Sequence, residues 1–130
     1  MSEGVYGDPV GLGPTVNSED LDFMPFVDPL QGFLIFASER PGGMGTHDIW
    51  LCSSEPGGTW SVPVNAGPNI NTAGADLWPV LSPDGGLFFV TSGHEGDQGF
   101  NPYWMDAEDL LSVITPVSTR NLGSVKALFR

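Results

Sequence analysis

The chain has 130 residues, room for one domain with a modest core, and its 16 acidic against 4 basic residues leave a net charge of −12. So acidic a surface repels phosphate backbones and anionic lipid, which argues against nucleic acid and membranes as partners; its first reading is solubility, its second the attraction of cations. Hydrophobic content is 40%, with 18 glycines, 12 prolines, eight phenylalanines and four tryptophans, a balance that argues against a disordered chain and points to short strands joined by tight turns.

In chain order, Gly4-Val5-Tyr6 reads as a short strand within residues 1–8. No signal peptide is expected, because Met1 to Pro9 lack both a basic start and an apolar stretch. Phe23 to Val27 and Phe33 to Ser38 are apolar runs separated by the turn residues Asp28-Pro29-Leu30-Gln31-Gly32. After the loop Arg40 to His47, a third strand is predicted over Asp48 to Ser53. A fourth, Thr59 to Val64, follows the turn Glu55-Pro56-Gly57-Gly58. The pattern then returns: Leu77 to Ser82, the turn Ser82-Pro83-Asp84-Gly85-Gly86, Leu87 to Ser92, the loop Gly93 to Asn101, and a strand at Tyr103 to Asp106. These runs are nearly continuous in apolar residues, as in sheets covered on both faces. Residues 107–130 fall outside the pattern; Ala107 to Ile114 suit a short helix, and the rest suits either packing on a neighbour or disorder. No apolar run approaches the ~20 residues of a membrane span.

Sliding the chain by 54 residues aligns its halves without a gap. Pro9-Val10 falls on Pro63-Val64, Gly13-Pro14 on Gly67-Pro68, Asn17 on Asn71, Asp22 on Asp76 and Pro25 on Pro79. The same register pairs Gly32 with Gly86, Ser38 with Ser92 and Trp50 with Trp104, and it sets Pro102 against Asp48. The expected units are residues 1–8, an outer strand belonging to another unit, then 9–64, 65–106 without an outer strand of its own, and the tail 107–130.

Ser82-Pro83-Asp84-Gly85 leading into Leu87 to Ser92, Phe36 to Gly43 leading into Thr46 to Trp50, and Gly58-Thr59-Trp60-Ser61 leading to Asn71-Thr72 resemble the PD40 repeat of WD40-like, TolB-like β-propellers. Tyr103 to Ala107 is similar to the end of the last blade in such proteins, and Ser53 to Trp60 approximates the structural Asp-box hairpin of other propellers. The resemblance covers about residues 5–110 and departs from the repeat at Asp28 to Gly32 and at Pro102. It implies an all-β fold of two four-stranded antiparallel blades. Two blades cannot close a ring, since propellers use four to eight, so either blades lie elsewhere or copies assemble. A homotrimer of six blades exchanging N-terminal strands is favoured, and a ring made only of this chain excludes odd blade numbers. The family analogy implies a bacterial periplasmic or extracellular setting and a protein or carbohydrate ligand.

Chemistry is sparse. Cys52 is alone and lies in a predicted strand, so it reads as structural, with neither a disulfide nor a cysteine-rich metal site. His47 and His94 lack metal-ligand spacing, and no nucleophile or nucleotide-binding pattern is present. Asn17, Asp22, Asn71 and Asp76 precede the first strands of their units, which in a propeller line the central channel. They are the channel binding candidates; a circle of them offers oxygen ligands to calcium, but hydrogen bonding to the connecting loop is the preferred role. A glycosidase-like alternative would use Asp22 and Asp76 as its carboxylates. Loop candidates for binding are Arg40, Met44, His47, His94, Asp97 and Phe100. The expected function is a non-catalytic binding or scaffold module, needing no cofactor. A propeller fragment without an evolved ligand is a further alternative.

Overall fold

A computed structural model describes residues 7–28, 32–94 and 99–107. Within them the chain is all β, without helix, in two antiparallel sheets. The first runs β1 (Asp22–Asp28), β2 (Phe33–Ser38), β3 (Asp48–Glu55) and β4 (Thr59–Trp60), with β5 (Val64–Asn65) also paired to β3. The second runs β6 (Asp76–Leu81), β7 (Gly86–Thr91) and β8 (Asn101–Asp106). The predicted fourth strand is therefore divided. β4 holds Ser54 and Glu55 while β5 holds Trp50 and Leu51, and between them Pro63 has no N–H for the ladder. Residues 4–6, the turn residues 29–31 and the tail from 108 lie outside the described residues.

The two sheets share their irregularities. β1 bulges between Phe23 and Phe26, β6 between Leu77 and Val80, and the residues within the bulges, Met24 and Trp78, have φ of 57° and 53°. Up to this point the offset of 54 holds.

Beyond the first hairpin it becomes 53, which corrects the gapless alignment. Leu34 pairs with Cys52 where Leu87 pairs with Met105, and Phe36 with Trp50 where Phe89 pairs with Tyr103. Gly32, at φ 74°, therefore answers to Gly85, at φ 96°, and not to Gly86. Each of these two carbonyls accepts an amide near the end of the neighbouring strand, from Ser54 at 2.7 Å and from Ala107 at 2.8 Å. Trp50 matches Tyr103, not Trp104; Asp48 matches Asn101; Pro102 matches Ile49. The cause is the turn. Gly32 donates to Asp28 across four residues, whereas Gly85 donates to Ser82 across three, aided by the Ser82 hydroxyl accepting the Gly86 amide at 3.0 Å.

The main core lies between the sheets. Ile35, Ile49 and Leu51 of the first meet Leu81, Leu87 and Phe89 of the second, with Ala66 and Ile70 of the connecting segment wedged among them. On the first sheet's other face, Leu34, Phe36, Trp50 and Cys52 are buried with Val16. By the corrected register, Leu87, Phe89, Tyr103 and Met105 are the counterparts of those four. The sheets therefore stack in the same sense, like cards in a deck. The first sheet is covered on both faces as its apolar runs imply, but β8 alternates half-buried and exposed residues. The second sheet's far face carries Trp78, Val80, Phe88 and Trp104, all exposed.

Candidate functional site

Asp22 and Asp76 each end a loop by accepting its donors. Ser18 N and Thr72 N bond the respective carboxylates at 2.7 and 2.8 Å, and the Ser18 and Thr72 hydroxyls add bonds at 2.9 and 3.1 Å. From the neighbouring strand, Ser38 Oγ donates to Asp22 at 2.6 Å, and Thr91 takes that role for Asp76. Asp22 has one further partner, the Arg40 guanidinium at 2.9 Å. Burial opposes the Asp22 charge, but the bonds from Ser38, Arg40 and Ser18 outweigh it and hold its pKa below the usual value. Asp76 is fully buried without such a cation; burial dominates, Asp48 adds repulsion, and its pKa is raised despite the Thr91 and Thr72 bonds.

The two asparagines differ more sharply. Asn71 is buried and grips the backbone of β3: its Oδ1 accepts the Ile49 amide at 2.8 Å, and its Nδ2 donates to the Ile49 carbonyl at 2.9 Å. Nδ2 also donates to Asn65 Oδ1 at 2.9 Å, and Asn65 Nδ2 bonds the Asp48 carboxylate at 2.9 Å. Asp48, 1% exposed, additionally accepts the Met44 and Gly45 amides. Ala66 N donates to Ile49 O at 3.0 Å and Asp76 N to His47 O at 2.8 Å, fastening the second unit to the first. Glycine is obligatory at Gly45, where a Cβ would overlap the backbone of residues 72–74. Asn17, the counterpart of Asn71, is exposed. Sequence reasoning placed both asparagines with the channel aspartates; it missed the inter-sheet clamp and its partners Asp48 and Asn65.

The loop candidates do not form one surface. Arg40 is tied inward, bonding Asp22 and the Val16 carbonyl and lying over the Phe36 and Trp50 rings. His47 sits 3.3 Å from Glu39 and edge-on to Phe23, while His94 stacks on Tyr103 at 4.2 Å. Met44 and Phe100 are exposed, and Asp97 lies outside the described residues.

Asp22 and Asp76 are saturated by donors of their own loops and strands. Burial pushes the Cys52 thiol up to about 11 although Arg40 opposes it, so it is a poor nucleophile. Among the described residues no group of three or more His, Cys, Asp or Glu is placed to hold a metal ion. A hollow beside Asn17 and Asp22 is lined mainly by Leu12, Val16, Phe23, Leu34 and Phe36, an apolar surface rather than a polar active site. Comparison with protein-family models, curated proteins and solved structures finds no match.

Proposed function

We propose that this chain supplies two blades of a PD40-type β-propeller, that copies of it complete the ring, and that the ring is a non-catalytic binding module. The observation that supports this reading is the same-sense stacking of the two sheets: the face presented by the second sheet is the counterpart of the face already covered on the first. An arrangement of that kind propagates until a ring closes or a filament grows. Three copies give six blades, with β1 and β6 innermost. The ligand is a protein or a glycan, met by the channel mouth and by the exposed loop residues Met44 and Phe100.

The non-catalytic part follows from the saturation of both aspartates. Light scattering on a size-exclusion column tests the ring, with a discrete mass of three or four chains expected and a monomer at every concentration overturning it. A panel of nitrophenyl glycosides tests the rest. No turnover is expected; turnover abolished by Asp22→Ala in a chain that still folds would restore the glycosidase reading.

A further inference from the structure

We infer that a second copy of this chain docks on the exposed face and outer edge of β8, in the register that residues 64–71 already use on β3, with Val10 opposite Trp104 and Asn17 at Pro102. This rests on the ring reading above and names its contact.

The internal joint supplies the template. There Val64 and Asn65 pair with Leu51 and Trp50, Ala66 N and Asn71 bond Ile49, and Asp76 N bonds His47 O. Applying the two offsets, Val10 pairs with Trp104 of the other copy. Leu12 N and Asn17 then meet Pro102, and Asp22 N meets the Phe100 carbonyl.

Exposure fits this on both sides. In the internal joint Ala66 and Asn71 are 3% and 2% exposed; their counterparts Leu12 and Asn17 are both exposed. Ile35 and Leu51 are fully buried, while their counterparts Phe88 and Trp104 are 46% and 61% exposed. Phe26 packs in the core, while its counterpart Val80 is exposed. Leu21, which matches the buried Ala75, is 50% exposed and would receive Trp78 as Ala75 and Leu77 receive Met24. A third observation lies on the receiving face: Trp50 Nε1 is buried with no hydrogen-bond partner among the described residues.

The copy is not perfect. Ile49 N–H is the donor that Asn71 accepts, and Pro102 has none. Asn17 is left with one bond, from its Nδ2 to the Pro102 carbonyl. Asp48 and Asn65 have become Asn101 and Gly11, so the charged limb of the clamp is gone as well. The joint between copies is thus the weaker one, and it has a specific repair.

Pro102→Ile restores the missing N–H, and the concentration for half-assembly of the ring should fall about tenfold, as one net hydrogen bond at every joint dictates. Asn17→Ala should raise that concentration, and in its background the gain from Pro102→Ile should vanish. Independently, a Val10→Cys chain mixed with a Trp104→Cys chain and oxidised should give a mixed disulfide dimer. Val10→Cys mixed with Val62→Cys, an exposed site off the joint, should not. Assembly with neither the mixed dimer nor a response to Pro102→Ile overturns this register and leaves the ring standing. A monomer in every variant, Pro102→Ile included, overturns both.

Discussion

Residues 10–17 and 64–71 share four of eight residues and one turn, yet are opposites in environment. The second segment lies between two sheets, with Ala66, Ile70 and Asn71 buried; the first has a single buried anchor, Val16. The same turn opens both: Gly13 O and Gly67 O each accept the amides three and four residues on. What differs is the strand on the far side. Local conformation is thus written into each segment, whereas burial and the asparagine clamp are supplied by a neighbour. The folded unit is the pair of sheets with its joint, not the single sheet.

That comparison is most easily broken at the apolar contact. Leu51→Ala opens a cavity in the closed joint and should cost about 3 kcal/mol in chemical denaturation. In the single, unassembled chain Trp104→Ala, its counterpart, should cost about 1 kcal/mol, the value of its edge-on contact with Phe88, because most of its surface is there in water. Equal losses at the two positions would mean that the far face is covered within the monomer.

Asn71→Ala comes next. It leaves the buried Ile49 amide without its acceptor, while the Ile49 carbonyl keeps the Ala66 amide, and should cost about 2 kcal/mol. Asn17→Ala should leave the stability of the single chain within about 0.5 kcal/mol of the parent.

The smallest effect separates the two aspartates by sign. Asp22 has a folded pKa below its ordinary value of 3.8, so its contribution is present above that pH and is lost as pH falls through the folded value. Asp76 is raised above 3.8, so stability is greatest below that value and declines as pH rises through the folded pKa. Asp22→Asn should therefore flatten the acid limb of a stability–pH profile, and Asp76→Asn the limb on its neutral side. Asn is tolerated better at 76, where hydroxyl partners can reorient, than at 22, where its NH2 would face Arg40.

Much of the strand order was legible because proline and glycine punctuate it: β2 is bounded as predicted, and β1, β3, β6, β7 and β8 lie within two residues of their expected ends. The one-residue slip was not legible, for a definite reason. Gly85-Gly86, Thr91-Ser92 and Tyr103-Trp104 place similar residues side by side, so the offsets of 53 and 54 both return plausible matches. Only the hydrogen-bond ladder decides which of each pair faces the core. Asp22 and Asp76 were legible as loop-anchoring residues, since an Asx acceptor needs only nearby amides. The clamp on Ile49 was not, because it joins residues 22 positions apart across two sheets. Phe88 and Trp104 escaped notice because the wrong offset assigned Trp104 to the place of the buried Trp50.

The paired bulges in β1 and β6 bear on how the molecule opens. Met24 and Trp78 hold left-handed φ values that cost a side-chain-bearing residue about 1 kcal/mol or more, and each is followed by a proline without an amide to donate. Each of these strands is therefore two short ladders with a gap between them, while β2–β3 and β7–β8 are continuous over six pairs. Hydrogen exchange should divide along that line. Amides of β1 and β6 should exchange through partial openings, and those bonded across the two continuous hairpins only when the whole chain unfolds.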